Sequence, residues 1–436
     1  MSARHHNGQA MLVVLAFLAT LAGGFLVVFS VGQVVNDKVR LVNAADAAAF
    51  SAAQWQARSL NYEAYLNRAI VANEVAIAQL VSLRSWSHYM DRTISNAETV
   101  SNFYAPARVV MQVLERAWSF VDRAIERVGP METALSVWNG ALVTAQTTAY
   151  VQASPVAANL VSEVVAAQEP RAEVYGATHF LRARNDVQWF GFTKRYQRGG
   201  GELDRYTQLL MDSRDGFSAQ RSGDLLPADS LLQVSKRGGT DLIGEYTWRG
   251  LDTLAVHIDL GIAQVEIPVG WGAAERRKQS TVRRGEHDGS YRRNPQTSRL
   301  AQRALTPAQG YLGVPEIRDL AHLDNTDDQR IGYSVALRLP QQRIDTADRL
   351  VLPQGLYGVA GEPEPLTPLL AESALHALGS AEVYFRRPEQ RSDGRQEYPS
   401  LFNPYWQARL STVPNLDRQL SAPFRGLSWD PFGVGP

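Results

Sequence analysis

From Ala10 to Val35 the chain carries no charged residue, and only Thr20, Ser30 and Gln33 are strongly polar. As a helix this run spans about 39 Å at 1.5 Å per residue, enough to cross a hydrocarbon core of ~30 Å with some tilt. Helices of soluble cores rarely go so far without a charge. A cleaved secretory signal has a shorter apolar region, of ~7–15 residues, ending in a small-x-small site. Ser30-Val31-Gly32 is a poor site of that kind. The run therefore predicts a retained transmembrane helix over residues 10–35, after a lead of residues 1–9. Flanking charge does not orient it, because Arg4 lies before it and Lys38 and Arg40 after it. A lead this short carries no domain, so the working part is expected beyond the helix.

A break in composition divides that remainder. Between Asn36 and Gln168 the only glycines are Gly129 and Gly140, and the prolines are Pro106, Pro130 and Pro155. Both residue types are frequent from Glu169 to Pro436. Glycine and proline punctuate chains, so the first stretch can hold long helices and the second cannot. Alanines 44, 45, 48, 49, 52 and 53 recur at helical spacing, followed by an apolar face through Leu60, Ile70, Ile77 and Leu83. One helix is expected from the membrane segment to about Asp91, with a loop around Ser95, Asn96, Ser101 and Asn102. A second is expected near Ala105–Val128, ended by Gly129-Pro130, and a third beyond it, interrupted near Pro155. The aromatic residues of this stretch, Trp55, Tyr62, Tyr65, Trp86, Tyr89, Trp118 and Trp138, read as core or interhelix contacts.

After Glu169 the period shortens to two. Leu254–Leu260, Ala263–Ile267, Gly332–Leu339 and Ala381–Phe385 alternate apolar and polar residues as half-buried strands do. The expected fold class is α+β: a transmembrane helix continuing into a helical stalk or bundle (36–168), then a mixed domain with a mostly antiparallel sheet (169–436).

Composition and motifs exclude much chemistry. Basic and acidic residues balance at 44 each, giving no global reason to bind nucleic acid. The absence of cysteine removes disulfides, thiolate nucleophiles and cysteine-ligated metals. There is no P-loop, nucleophile elbow, His-Glu-x-x-His or dinucleotide fingerprint. No catalytic residue and no cofactor are expected. Asp324, Asp327 and Asp328 offer oxygen ligands suited to calcium, without the spacing of an EF-hand loop. A solvated turn is the competing reading of that cluster. The stretch 276–294 is basic (Arg276, Arg277, Lys278, Arg283, Arg284, Arg292, Arg293, with His287) and reads as a surface loop or as a patch for an anionic partner. Arg198-Gly-Gly-Gly-Glu202 reads as a hinge or turn, and Trp271, between Gly270 and Gly272, as a packed turn.

The lead Gly8-Gln9, the apolar helix and the element Leu41-Val-Asn-Ala-Ala-Asp-Ala-Ala-Ala-Phe50 follow one another in order. This succession resembles the TadE/TadG-like proteins of the Tad (Flp) pilus assembly family. A second segment, Ala381–Pro388 with Tyr398–Arg409, is similar to the end of the longer members. The resemblance implies a minor pilin or pilin-like component, anchored in the bacterial inner membrane with its large domain outside the cytoplasm. It also implies partners among other pilin-like subunits and the assembly platform. Leader processing would fall at Gly8-Gln9. The fifth residue after such a cut, usually a glutamate in prepilins, is Val13, and no acidic residue lies anywhere in 10–35. Such a subunit offers no carboxylate to a subunit beneath it, which suits a tip or initiating position; an uncleaved platform anchor fits the same absence. Ala44, Ala45, Asp46, Ala48, Ala49 and Ala52 form a candidate helix-contact face, since small residues let helices approach closely. The competing class is a membrane-anchored periplasmic enzyme, ligand-binding module or adhesin.

Overall fold

In the computed structural model the apolar run opens one helix, α1 (Asn7–Ser101), that goes far past bilayer length. The structure describes residues 7–101, 105–224, 232–259, 264–278, 290–305, 307–322, 329–344 and 374–424. α1 outruns its expected end near Asp91, and Ser95, Asn96 and Ser101 form its last turns rather than a loop. Asn96 favours turns because its side chain competes for backbone groups. Here its amide instead donates to the Val269 carbonyl, at 2.8 Å, so a tertiary bond absorbs that tendency.

Two further helices, α2 (Ala105–Arg127) and α3 (Gly129–Gln168), follow at the expected places. Pro155 does not interrupt α3. It stands on the exposed side, as does Val151, the carbonyl left without its N–H partner. The lost bond therefore faces water, which limits its cost. Beyond lie α4 (Gly176–Phe192), β1 (Thr193–Arg195), α5 (Gly201–Asp212), α6 (Gly216–Ala219), β2 (Gly223–Asp224), β3 (Leu232–Ile243), β4 (Thr247–Asp259) and β5 (Gln264–Arg277). α7 (Ser290–Arg293), α8 (Pro295–Arg303), β6 (Pro307–Gln309), β7 (Arg318–Leu320), β8 (Arg330–Pro340), β9 (Ala374–Phe385), β10 (Trp406–Leu410) and α9 (Asn415–Ser421) complete the order. The class is α+β; Gly332–Leu339 and Ala381–Phe385 lie within strands, as do 254–259 and 264–267 of the other two expected segments, whose Leu260 and Ala263 lie outside the described residues.

Two compact units divide the chain: Met1–Asn61 with Ala149–Thr193 and Leu320–Pro436, and Tyr62–Thr148 with Lys194–Asp319. Each draws helices from the glycine-poor stretch and strands from the later one, so the units do not follow the composition break at residue 168.

The first unit is an antiparallel sheet in the order β10-β9-β8, covered by the first part of α1, the second part of α3, and α4. Its core joins Leu41, the alanine stripe and Leu60 of α1 to Ala157, Val161 and Val165 of α3 and to Val335, Leu337, Ala381 and Val383 of the sheet. Asn61 docks α1 on β10: its amide nitrogen donates to the Trp406 carbonyl and its oxygen accepts from the Trp406 N–H, both at 2.9 Å. Asn185 does the same for α4 on β8 through the backbone of Ser334. The two stretches that resemble the end of longer family members are thereby adjacent, since β9 and β10 pair from Trp406 opposite Phe385 to Leu410 opposite Ala381.

The second unit is a five-stranded sheet in the order β2-β3-β4-β5-β6, antiparallel except for the short β5–β6 pair. The later part of α1 lies on it closely. A Cβ at Gly272 would collide with the backbone of Ser85 and Tyr89, so only glycine fits that crossing. Trp271, expected in a turn, is instead a β5 residue opposite Thr253, because its neighbouring glycines serve helix approach rather than chain reversal. The Gly199 turn before α5, with φ of +77°, agrees with the reading of Arg198–Glu202.

Candidate functional site

The apolar run and its continuation are two parts of one helix with opposite surroundings. From Met11 to Val31 the large apolar side chains face outward, Phe25 72% exposed and Val28 71%, while Val34 already packs against the core of the first unit. One membrane-length span is found among the described residues, at the N-terminal end of α1 and with none of its most apolar window buried. Thr20 returns its hydroxyl to the Ala16 carbonyl at 2.8 Å, so its polar group is satisfied inside the helix as an apolar surrounding requires. Gly8 and Gln9 lie in the first turn of α1.

Just past this segment the helix becomes interior. Asp37 is buried and paired with Arg171 at 2.8 Å, and Arg171 also holds Glu169 at 2.7 Å. Glu169 and Asp37 keep the Arg171 guanidinium above its ordinary range. Lys38 donates to the His376 carbonyl. This clamp at the base of the first unit was not visible in the sequence. Asp37 is the first charge after the apolar run, but its partners lie more than a hundred residues away.

Alanines 44, 45, 48, 49, 52 and 53 are all fully buried. At the tightest point a Cβ on Gly379 of β9 would strike the Ala45 carbonyl and the Asp46 amide. The small side chains and the missing one let helix backbone and strand backbone approach directly. Asp46 is half-buried beside this crossing, and burial pushes its carboxyl up. The stripe thus packs inside its own unit, against the sheet and α3 together.

The other candidates fare differently. Asp324, Asp327 and Asp328 lie outside the described residues, as do Arg283, Arg284 and His287 of the basic stretch. Among the described residues no cluster of three His, Asp or Glu groups could hold a metal. Arg276 is not loop surface but the buried end of β5, paired with Glu132 at 2.9 Å. Burial lowers its guanidinium and raises the Glu132 carboxyl. Trp86 and Trp118 do meet edge to face, with centroids 5.2 Å apart. Trp138, Tyr62 and Tyr65 are exposed instead of core.

A polar layer inside the second unit also escaped sequence reading. Glu74 of α1 is fully buried and accepts from Tyr311 at 2.7 Å, Asn139 at 2.8 Å and Trp248 at 3.0 Å. Burial raises its carboxyl despite these donors. Asn67, Gln146 and the Arg318 backbone close a three-membered ring of bonds of 2.8–3.0 Å. Glu63 is equally buried, yet neither of its oxygens finds a hydrogen-bond partner among the described residues. Its carboxyl is pushed up to about 8, chiefly by burial, with Arg318 opposing and Asp319 adding. Glu74, Asn67 and Gln146 thereby tie α1 and α3 to each other and to Trp248 of β4 and Arg318 of β7.

Residues 8–55 match the family model described as "Putative Flp pilus-assembly TadE/G-like". No curated protein and no solved structure matches the chain. The match covers the outward-facing apolar run and the buried alanine stripe of α1. In this N-terminal segment the chain is similar to the TadE/G-like proteins of Flp pilus assembly.

Proposed function

We propose that this protein is a non-enzymatic, pilin-like component of the Tad pilus, a minor pilin at the tip or initiating position. Residues 10–35 anchor it in the bacterial inner membrane, and both folded units lie outside the cytoplasm. Other pilin-like subunits and the assembly platform are its partners. One observation carries the reading: the family-matched segment is a single uninterrupted helix, apolar and outward-facing first, then the core of a folded unit. A helix of this kind can rest in a bilayer and later pack among like helices without refolding the unit it supports. The lack of any acidic residue in 10–35 supports a terminal position rather than a repeating one.

Arginine at Leu21, near the middle of the span, should cost ~2.5–3.5 kcal/mol on insertion scales. The Leu21→Arg protein should leave the membrane fraction on carbonate washing and fail to restore piliation in a deletion strain that the native chain restores. Normal pili in the deletion strain would refute the assembly role. A reporter active only in the periplasm should work when fused at Pro436; activity there of a cytoplasm-only reporter would reverse the orientation.

A further inference from the structure

β8 is an edge strand of the first unit, yet its outward backbone groups are already bonded. Asn185 of α4 holds the N–H and the carbonyl of Ser334, Thr178 donates to the Ala336 carbonyl, and Glu173 exchanges two backbone bonds with Arg338. This stretch of edge is closed to a further strand. Beside it α3, α4 and β8 leave a cleft of about 140 Å³. Its apolar wall is Ala158, Val161, Val174 and Val335. Of the polar residues that line it, Thr178 and Asn185 are spent on β8, and no Asp or Glu is among them. Arg182 differs. Among the described residues its guanidinium makes no ion pair and no hydrogen bond. The neighbouring arginine of α4, Arg184, pairs with Asp417 at 2.9 Å. The nearest acid along α4, Asp186, accepts from Ser154 and does not line the cleft. Tyr333 does line it; burial and then Asp186 push its hydroxyl up, with Arg182 opposing, so it stays neutral and brings no negative charge there.

We propose that this cleft binds a small organic carboxylate, its charge on Arg182 and its apolar stem against Val161, Val174 and Val335. A planar guanidinium matches a carboxylate through two parallel bonds. A ligand with one anionic end and one apolar end satisfies both halves of the lining, as small molecules do in sites of a few polar groups on apolar walls. The volume fixes its size. An engineered apolar cavity of about 150 Å³ holds benzene, so roughly six non-hydrogen atoms fit. Inorganic phosphate would suit the charge but not the wall, which strips water from its oxygens without replacing the bonds. The closed edge of β8 excludes recognition of a peptide by strand addition. The inference goes beyond the pilus assignment and does not depend on it, so a failure of either leaves the other standing.

Butyrate is the probe, and butyramide its uncharged counterpart of the same size. In saturation-transfer NMR the full-length, detergent-solubilised protein should bind butyrate saturably, and butyramide about ten-fold more weakly or worse. Arg182→Gln should weaken butyrate by a similar factor, because the charged partner of the carboxylate is gone. Ser162→Phe should fill the cleft from α3 and remove saturable binding, while any uptake of the probe by detergent stays as it was. Both substitutions fall at exposed positions, so the thermal midpoint should stay that of the native chain. If Ser162→Phe lowers it, Val174→Phe fills the same cleft from the segment before α4, where Val174 is 40% exposed. Native affinity in Arg182→Gln or in the filled variant overturns the proposal. So do equal binding of butyrate and butyramide, displacement of butyrate by equimolar inorganic phosphate, and the absence of saturable butyrate binding to the native protein.

Discussion

The two units solve one problem, seating a stretch of α1 on an antiparallel sheet, with different chemistry. In the first the contact is apolar and built from alanines, and Gly379 removes the last obstacle between helix and strand backbones. In the second Gly272 does the same, but the flanking contacts are polar. Ser85 donates to Asp252 at 2.7 Å, and Asp252 is further held by Arg221 and Lys236. Ser82 meets Thr240, and Glu74 gathers three donors. Close approach needs small residues in either case. An alanine surface gains free energy by leaving water and tolerates small shifts, whereas a buried polar surface gains little net but penalises any arrangement that leaves a partner unmade. The first unit is held by area, the second by bond geometry.

Removing the centre of the polar layer should break this contrast most severely. Glu74→Ala orphans the Tyr311, Trp248 and Asn139 donors, at ~1–3 kcal/mol each, for a loss on the order of 5 kcal/mol. Hydrogen exchange should show the strands of the second unit opening first; a loss below about 1 kcal/mol would mean the layer does not hold that unit. Glu63 sharpens the comparison through pH. Its folded carboxyl is raised to about 8 from 4.5, so the native state binds more protons than the unfolded one between these values. Stability should therefore fall as pH rises through that window, by ~1.4 kcal/mol per unit and at most about 5 kcal/mol overall. Glu63→Gln should remove that slope in denaturation measured from pH 5 to 9, and a slope that persists would place its origin elsewhere. The smallest effect belongs to the alanine face. Ala48→Leu should cost ~1–3 kcal/mol by overpacking and should loosen the first unit in hydrogen exchange. A change within ~0.5 kcal/mol, as at ordinary surface positions, would mean the stripe is not packed as described.

Much of the site and fold was legible because it rests on local patterns. The charge-free run marks the candidate span, the alanine spacing marks the face of α1 that is buried, and period-two alternation locates β4, β5, β8 and β9. What misled did so for definite reasons. Ser95 and Asn96 are turn-forming residues held helical by a strand carbonyl. Pro155 sits where its missing bond faces water. Trp271 lies between glycines that serve a crossing helix. Arg276, counted with a basic stretch, has a buried acid across the unit.

The sequence by itself determined the long apolar helix that could span a membrane, the fold class and the family resemblance, because each depends on residues that are neighbours along the chain. Only the tertiary structure decided that the alanine stripe lies against a strand, that Asp37 is clamped by Arg171 and Glu169, and that Glu63 and Glu74 are interior. It also showed that polar residues of α3 turn inward while Trp138 is left outside. The physical reason is that a helical wheel shows which residues share a face but not what that face meets. Burial and hydrogen-bond partners are set by chain segments a hundred or more residues away, and no local spacing encodes them.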